Sequence, residues 1–112
     1  MSDSIEQINV PERFLTELTN YCSNNNKIEK VLLFGSRARG DFQFNSDIDL
    51  ALYTTDITHS DQNMIEYMIQ EIPTPLKIDI VFMDRLLKEE LIKNIKRDGV
   101  ILYEQGKAVR KA

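Results

Sequence analysis

Two short apolar runs, Val31-Leu32-Leu33-Phe34 and Ile48 to Tyr53, enclose the stretch that most restricts how this chain can fold. Between them stand Gly35-Ser36-Arg37-Ala38-Arg39-Gly40-Asp41-Phe42-Gln43-Phe44-Asn45-Ser46, and the second run is entered through Asp47-Ile48-Asp49-Leu50. Apolar runs of this length read as buried strands. A glycine-led turn at the end of one strand and an Asp-x-Asp at the start of the next then share one end of a sheet. Residues two apart on a strand point to the same face, so Asp47 and Asp49 turn together to one side while Ile48 and Leu50 turn to the core.

Such a cleft suits a nucleoside triphosphate and its cation. Mg²⁺ prefers hard oxygen ligands and is commonly held by one or two carboxylates together with the substrate's own phosphates. Gly35 lacks a Cβ and lets the backbone approach a phosphate, and Ser36 adds a hydroxyl at the expected N-terminus of a short helix. Arg37 and Arg39 are placed either to offset further phosphate charge or to form surface salt bridges. Downstream, Lys77-Ile78-Asp79-Ile80-Val81-Phe82 reads as a strand carrying one acid. An unpartnered buried carboxylate costs several kcal/mol, so Asp79 belongs at a wet strand end or against a cation. If that strand lies beside the one carrying Asp49, the three acids form one site, two of them bridging two metal ions and Asp79 activating the attacking hydroxyl.

Gly-Ser, ten residues, Asp-x-Asp and a lone Asp on a later strand resembles the pattern of the DNA polymerase β-like nucleotidyltransferase superfamily, and within it the minimal nucleotidyltransferase (MNT) domain. The likeness is detailed over residues 31–53. It extends loosely, over about half of the chain, through Asp79 and the segment from Asp98 to Tyr103. It implies an α/β fold, a mixed β-sheet with helices packed against it in the manner of a polymerase β palm, as a single domain over residues 1–112. It implies that Gly35 and Ser36 contact the triphosphate, with Arg37, Arg39 and Ser46 as further nucleotide-binding candidates. It also implies that Asp47, Asp49 and Asp79 hold the metal, two Mg²⁺ ions, and that ATP is the substrate.

The resemblance carries a partner as well. Stand-alone MNT proteins of this size are often antitoxins paired with a HEPN-domain ribonuclease toxin, and some transfer AMP from ATP to a toxin tyrosine. Such a modification adds bulk and negative charge beside an RNA-cleaving site. The implied assembly is a hetero-oligomer with a HEPN toxin. Neutralisation by binding alone, and transfer to a small molecule or to RNA, stay open as alternatives.

Outside the motif, Asn9 precedes a helical pattern with Val10, Phe14, Leu15, Leu18 and Cys22 on one face, Glu12 being placed to complete a cap. Ser23-Asn24-Asn25-Asn26 ends it, and Ile28 to Phe34 makes the first strand. Ser60 reads as the cap of a helix whose Met64, Ile65, Met68, Ile69 and Ile72 form a core stripe, broken by Pro73 and Pro75. Asp84 reads as the cap of another, with Leu87, Leu91 and Ile95 apolar and Lys93, Lys96 and Arg97 toward its C-terminal end. Gly99 stops that helix, Val100 to Tyr103 forms a last strand, and Gly106 to Ala112 is a basic terminus. Asp41 and Asp56 read as surface turn residues. Cys22 and His59, each the sole residue of its type, read as inert packing and as a solvated helix start.

The bulk properties remove several function classes. Hydrophobic residues at 42% and charged residues at 29% fit a globular core within 112 residues. Fourteen basic against 18 acidic side chains give a net charge of −4, so no global basic field recommends nucleic acid as a partner. No stretch is apolar enough to span a membrane, and Met1-Ser2-Asp3-Ser4 is too polar for a signal sequence. With one cysteine, the expected location is the cytoplasm. The chain is short for an acceptor pocket of its own, which points to a partner chain or a second copy supplying that half.

Overall fold

The computed structural model describes residues 8–107. In chain order the elements are α1 (Glu12–Ser23), β1 (Ile28–Phe34), α2 (Ser36–Arg39), β2 (Ile48–Thr54), α3 (His59–Gln70), β3 (Ile78–Phe82), a 3-10 turn (Met83–Arg85), α4 (Glu89–Asp98) and β4 (Val100–Glu104). The strands form one mixed sheet in the order β3-β2-β1-β4. β1 is antiparallel to both β2 and β4, and β2 is parallel to β3. A parallel pair needs a crossover, and α3 supplies it. The fold is thus the mixed-sheet α/β architecture implied by the sequence motif.

Alternation along the strands divides the apolar residues between two layers. On one face Ile28, Val31, Leu33, Ile48, Leu50, Leu52 and Ile78 pack with Phe14, Leu15, Leu18 and Cys22 of α1 and with Ile65 and Ile69 of α3. On the other, Leu32 and Ala51 pack with Ile95 of α4. Cys22 is fully buried, and burial pushes its thiol up to about 12, which suits packing rather than nucleophilic chemistry.

Helix starts depart from the sequence reading in three places. Asn9 does not cap α1: Pro11 occupies the cap position without a side-chain bond, and the Asn9 amide donates instead to the Arg37 carbonyl at 2.9 Å. α3 is capped by Thr58, not Ser60. Its hydroxyl accepts from the Asp61 N–H while the Asp61 carboxylate accepts from the Thr58 N–H, each at 3.0 Å. The reciprocal box requires an acid three residues on, which Thr58 has and Ser60 lacks. Asp61 also accepts from Lys27 at 2.9 Å, and the Thr58 and Lys27 bonds hold its carboxyl below the usual range. Thr58→Ala is expected to cost about 1 kcal/mol, read as a drop of about 4–8 °C in a circular-dichroism melt.

Asp84 does not cap α4 either. It lies in the 3-10 turn and accepts from the Thr54 hydroxyl at 3.1 Å, and α4 begins only at Glu89. Leu87 therefore falls outside the helix and is exposed, while Leu91 and Ile95 meet the sheet. The methionine stripe of α3 is corrected too. Ile65, Ile69 and Ile72 carry the contact with the sheet, and Met64 and Met68, one position earlier in each turn, are 59% and 41% exposed. His59 is the exposed first residue of α3, as expected. Of the basic terminus, Arg110 and Lys111 lie outside the described residues. Among the described residues, no helix is long and apolar enough to cross a membrane.

Candidate active site

β1 delivers the chain to the site and Gly35 turns it. Phe34, the last residue of β1, lies opposite Asp49 of β2. Gly35 then adopts φ +74° and ψ −157°, a region that side-chain-bearing residues avoid. A Cβ on Gly35 would run into the Asp49 carboxylate oxygen and lie 3.1 Å from its Cγ. The missing Cβ is thus what lets an acid of the site close against the turn, a reason for glycine additional to phosphate approach. Half-buried Ser36 opens α2, which ends at Gly40 with φ +94° and the Gly40 N–H donating to the Ser36 carbonyl at 2.9 Å.

The acids meet through strand register. Parallel pairing of β2 with β3 sets Asp49 directly beside Asp79, and the Ile48 N–H donates to the Lys77 carbonyl at 2.8 Å just ahead of that pair. Ile48, Leu50, Ile78 and Ile80 pack into the larger core, so Asp49 and Asp79 emerge on the opposite face, that of α4. Asp47 immediately precedes β2, and all three carboxylates are half-buried. Desolvation, followed by the charges of Asp79 and Asp47 and a hydrogen bond to Asp79, pushes the Asp49 carboxyl up to about 6, with Arg39 pulling weakly the other way. Like charges gathered in a partly dry cleft hold a proton that isolated carboxylates would release. Lys77 Nζ stands 3.8 Å from Asp79 in an exposed pair. Among the described residues no three such side chains are closed into a metal cage. An open set of carboxylates suits an ion that completes its shell with phosphate oxygens.

Three other expected nucleotide-binding residues are placed differently. Arg37 is buried at 4% exposure, and its guanidinium donates to the carbonyls of Ser46 at 3.0 Å, Asn9 at 2.9 Å and Phe44 at 2.9 Å. Three of its five N–H donors are committed to the protein's own backbone, in place of the surface salt bridge that the sequence also allowed. Ser46 closes a turn, its hydroxyl accepting from the Gln43 N–H at 2.9 Å and its own N–H donating to the Gln43 carbonyl at 3.0 Å. Arg39 is exposed and pairs with the Asp41 carboxylate at 3.3 Å, the salt-bridge option of the sequence reading, while its charge still reaches Asp49.

Two neighbours escaped the sequence reading. Asn9 ties the segment before α1 to α2 through its bonds with Arg37, and no local pattern distinguishes that role from a helix cap. Asp98, at the end of α4, is bonded by Arg97 at 3.0 and 2.9 Å; these bonds, with a smaller contribution from Arg39, keep its carboxyl low. A cavity of about 260 Å³ lined by Tyr53, Thr54, Met83, Asp84, Ile92 and Lys96 lies at the far end of β2 and contains none of the three acids.

No curated protein matches the chain. Among solved structures, a toxin–antitoxin with AMP-PNP is similar at 21% identity and TM-score 0.64, covering 87% of this chain and 76% of the other. A protein from Sulfolobus solfataricus described as a nucleotidyltransferase is similar at 25% identity and TM-score 0.57, over 87% and 83%. The tri-AMPylated Shewanella oneidensis HEPN toxin in complex with MNT antitoxin gives 19% identity and TM-score 0.57, over 84% and 70%. The polymerase β nucleotidyltransferase family model matches residues 16–108, so that most of the sequence, together with both strands that carry the acids, falls within it. This chain belongs to the polymerase β nucleotidyltransferase family.

Proposed function

We propose that the chain transfers AMP from Mg-ATP to a hydroxyl of a HEPN-type toxin, a tyrosine by preference, and so acts as its antitoxin. The observation that carries the catalytic part is the Asp49–Asp79 register with Gly35 closed against Asp49. The partner rests on likeness to the toxin–antitoxin with AMP-PNP and to the AMPylated HEPN toxin in complex with its MNT antitoxin.

The residues fit Mg²⁺. Asp47, Asp49 and Asp79 offer only hard carboxylate oxygens, and their crowding, which adds to burial in raising the Asp49 pKa, is the kind of like-charge strain that a divalent cation relieves. Asp47, Asp49 and Asp79 would hold it, and when bound it supplies neutralisation of the phosphate charge. The chain's own residues do the rest. Gly35 and Ser36 cradle the triphosphate, and Arg39, exposed beside them, offsets part of its charge. Asp79 accepts the proton of the attacking hydroxyl. A bond forms from that oxygen to the α-phosphorus, the bond from the α-phosphorus to the bridging oxygen breaks, and pyrophosphate leaves with the electron pair.

The test is incubation with Mg²⁺ and ATP labelled at the α- or the γ-phosphate, with the copurifying partner present. Label is expected on the partner from the α-position alone and is expected to be lost in Asp47→Asn. Label from neither position, with a tightly bound partner still neutralised, would establish a binding antitoxin instead.

A further inference from the structure

Arg37 belongs to none of the proposed chemical steps, yet it is the most thoroughly engaged side chain near the site. Its three guanidinium nitrogens reach three backbone carbonyls in two separate parts of the chain: Asn9 before α1, and Phe44 and Ser46 in the loop that ends at Asp47. The backbone of Arg37 lies in α2, two residues after Gly35, and its own carbonyl is held by the Asn9 amide at 2.9 Å. The Phe42 ring closes the remaining side, its centroid 4.8 Å from the guanidinium carbon.

The position of those bonds gives them a consequence for the acids. Asp49 and Asp79 are set beside each other by strand register. Asp47 precedes β2, on the loop side of the first paired residue, Ile48. The carbonyl just before Asp47 is one that Arg37 holds, and Phe44 is a second hold three residues upstream. Only a planar fork spans three acceptors in this way. A lysine ammonium presents its donors from one point and reaches fewer of them.

We infer that Arg37 is a positioning residue: it locks the Phe44–Ser46 backbone to α2 so that Asp47 is delivered to the Asp49–Asp79 pair as the third cation ligand. The inference rests on the proposed nucleotide and cation site, but not on the identity of any acceptor.

The test compares the full chain with Arg37→Lys, which retains the charge and most of the buried stem, and with Arg37→Met. Mn²⁺ binding in the presence of α,β-methylene ATP is followed by electron paramagnetic resonance, and amide hydrogen exchange is followed across residues 40–50. In folded Arg37→Lys the half-saturating Mn²⁺ concentration is expected to rise about tenfold or more, the cost typical of losing a group that orients a metal ligand. Half-saturation by the nucleotide should stay near the wild-type value, and the Ser46 and Asp47 amides should exchange faster while those of β1 do not. Should Arg37→Met fail to fold, Arg37→Lys and Asn9→Ala still read the same quantities, with Asn9→Ala giving the smaller effect. Unchanged Mn²⁺ binding in variants that only melt lower would overturn the inference and leave Arg37 a fold-stabilising residue. A wild-type protein that binds Mn²⁺ with nucleotide but transfers nothing would sink the proposed transfer, and the comparison would still decide Arg37, because it is read on cation binding.

Discussion

Asp49→Asn is expected to give a protein that melts higher and transfers at least about 10³-fold more slowly. The loss of activity follows from removing a charged oxygen donor from the proposed cation site: roughly 4 kcal/mol of charge stabilisation, about 10³-fold or more in rate. The gain in stability follows from the same charge. In the folded chain the Asp49 carboxyl titrates at about 6, because of burial and the charges of Asp79 and Asp47. The gap from the ordinary carboxylate value is worth at most about 3 kcal/mol. Asp49 is only half-buried and water screens its neighbours, so about 1 kcal/mol is expected. Asn keeps an amide able to donate to Asp79, so relief of repulsion is not traded for an unpaired group.

The pH dependence separates this cause from general repacking. Folded Asp49 keeps its proton to a higher pH than the unfolded chain does, so the folded state binds more protons between about pH 4 and pH 6. The wild type therefore loses this part of its stability as pH rises through that window, and Asp49→Asn does not. Urea midpoints at pH 4 and pH 7.5 are the measurement. Curves for the two proteins that run parallel across that range would remove Asp49 as the source of the dependence.

Gly35→Ala carries the second large effect. Alanine must adopt φ +74° and ψ −157°, a combination essentially confined to glycine, which costs about 1–3 kcal/mol. Its Cβ must also displace the Asp49 carboxylate or be displaced by it. A shift of about 1 Å in a reacting constellation is enough for a loss of about 10²-fold, so kcat/KM for nucleotidyl transfer should fall at least that far. Gly40 provides the control. It too has positive φ, at +94°, but a Cβ there meets nothing within 4 Å. Gly40→Ala should therefore show the strain alone, about 1 kcal/mol in a melt, with transfer nearly intact. Equal losses of activity in the two variants would mean that backbone strain, not the Asp49 contact, is what Gly35 avoids.

Legibility followed the range of the forces involved. β1 was readable to the residue and β2 to within one at its C-terminal end, because apolar runs bounded by glycine and polar turns are local patterns. The α3 start was misread by two residues, because Thr58 and Ser60 are both residues that can cap and the choice depended on Asp61 completing a box with one of them. The exposure of Met64 and Met68 was not readable, since a stripe of five apolar residues is wider than the contact the sheet offers α3. Arg37 and Ser46 look like phosphate ligands from their spacing alone. That Arg37 instead holds backbone 9 and 28 residues away became visible only once the chain had folded, while Ser46 closes a local turn with Gln43.

What the sequence by itself determined is the chemistry available: a glycine-led turn, Asp-x-Asp at a strand start and one acid on a later apolar strand, all set by residue type and spacing two apart. What only the tertiary structure decided is how those groups meet. Parallel pairing through α3 put Asp79 beside Asp49, and burial, together with the nearby charges of Asp79 and Asp47, raised the Asp49 pKa. Folding also turned one of two similar arginines inward onto carbonyls and left the other at the surface. The physical reason is common to all of these: side-chain direction along a strand is a local property, whereas register, charge crowding and the choice of partner for a guanidinium depend on segments far apart in the chain.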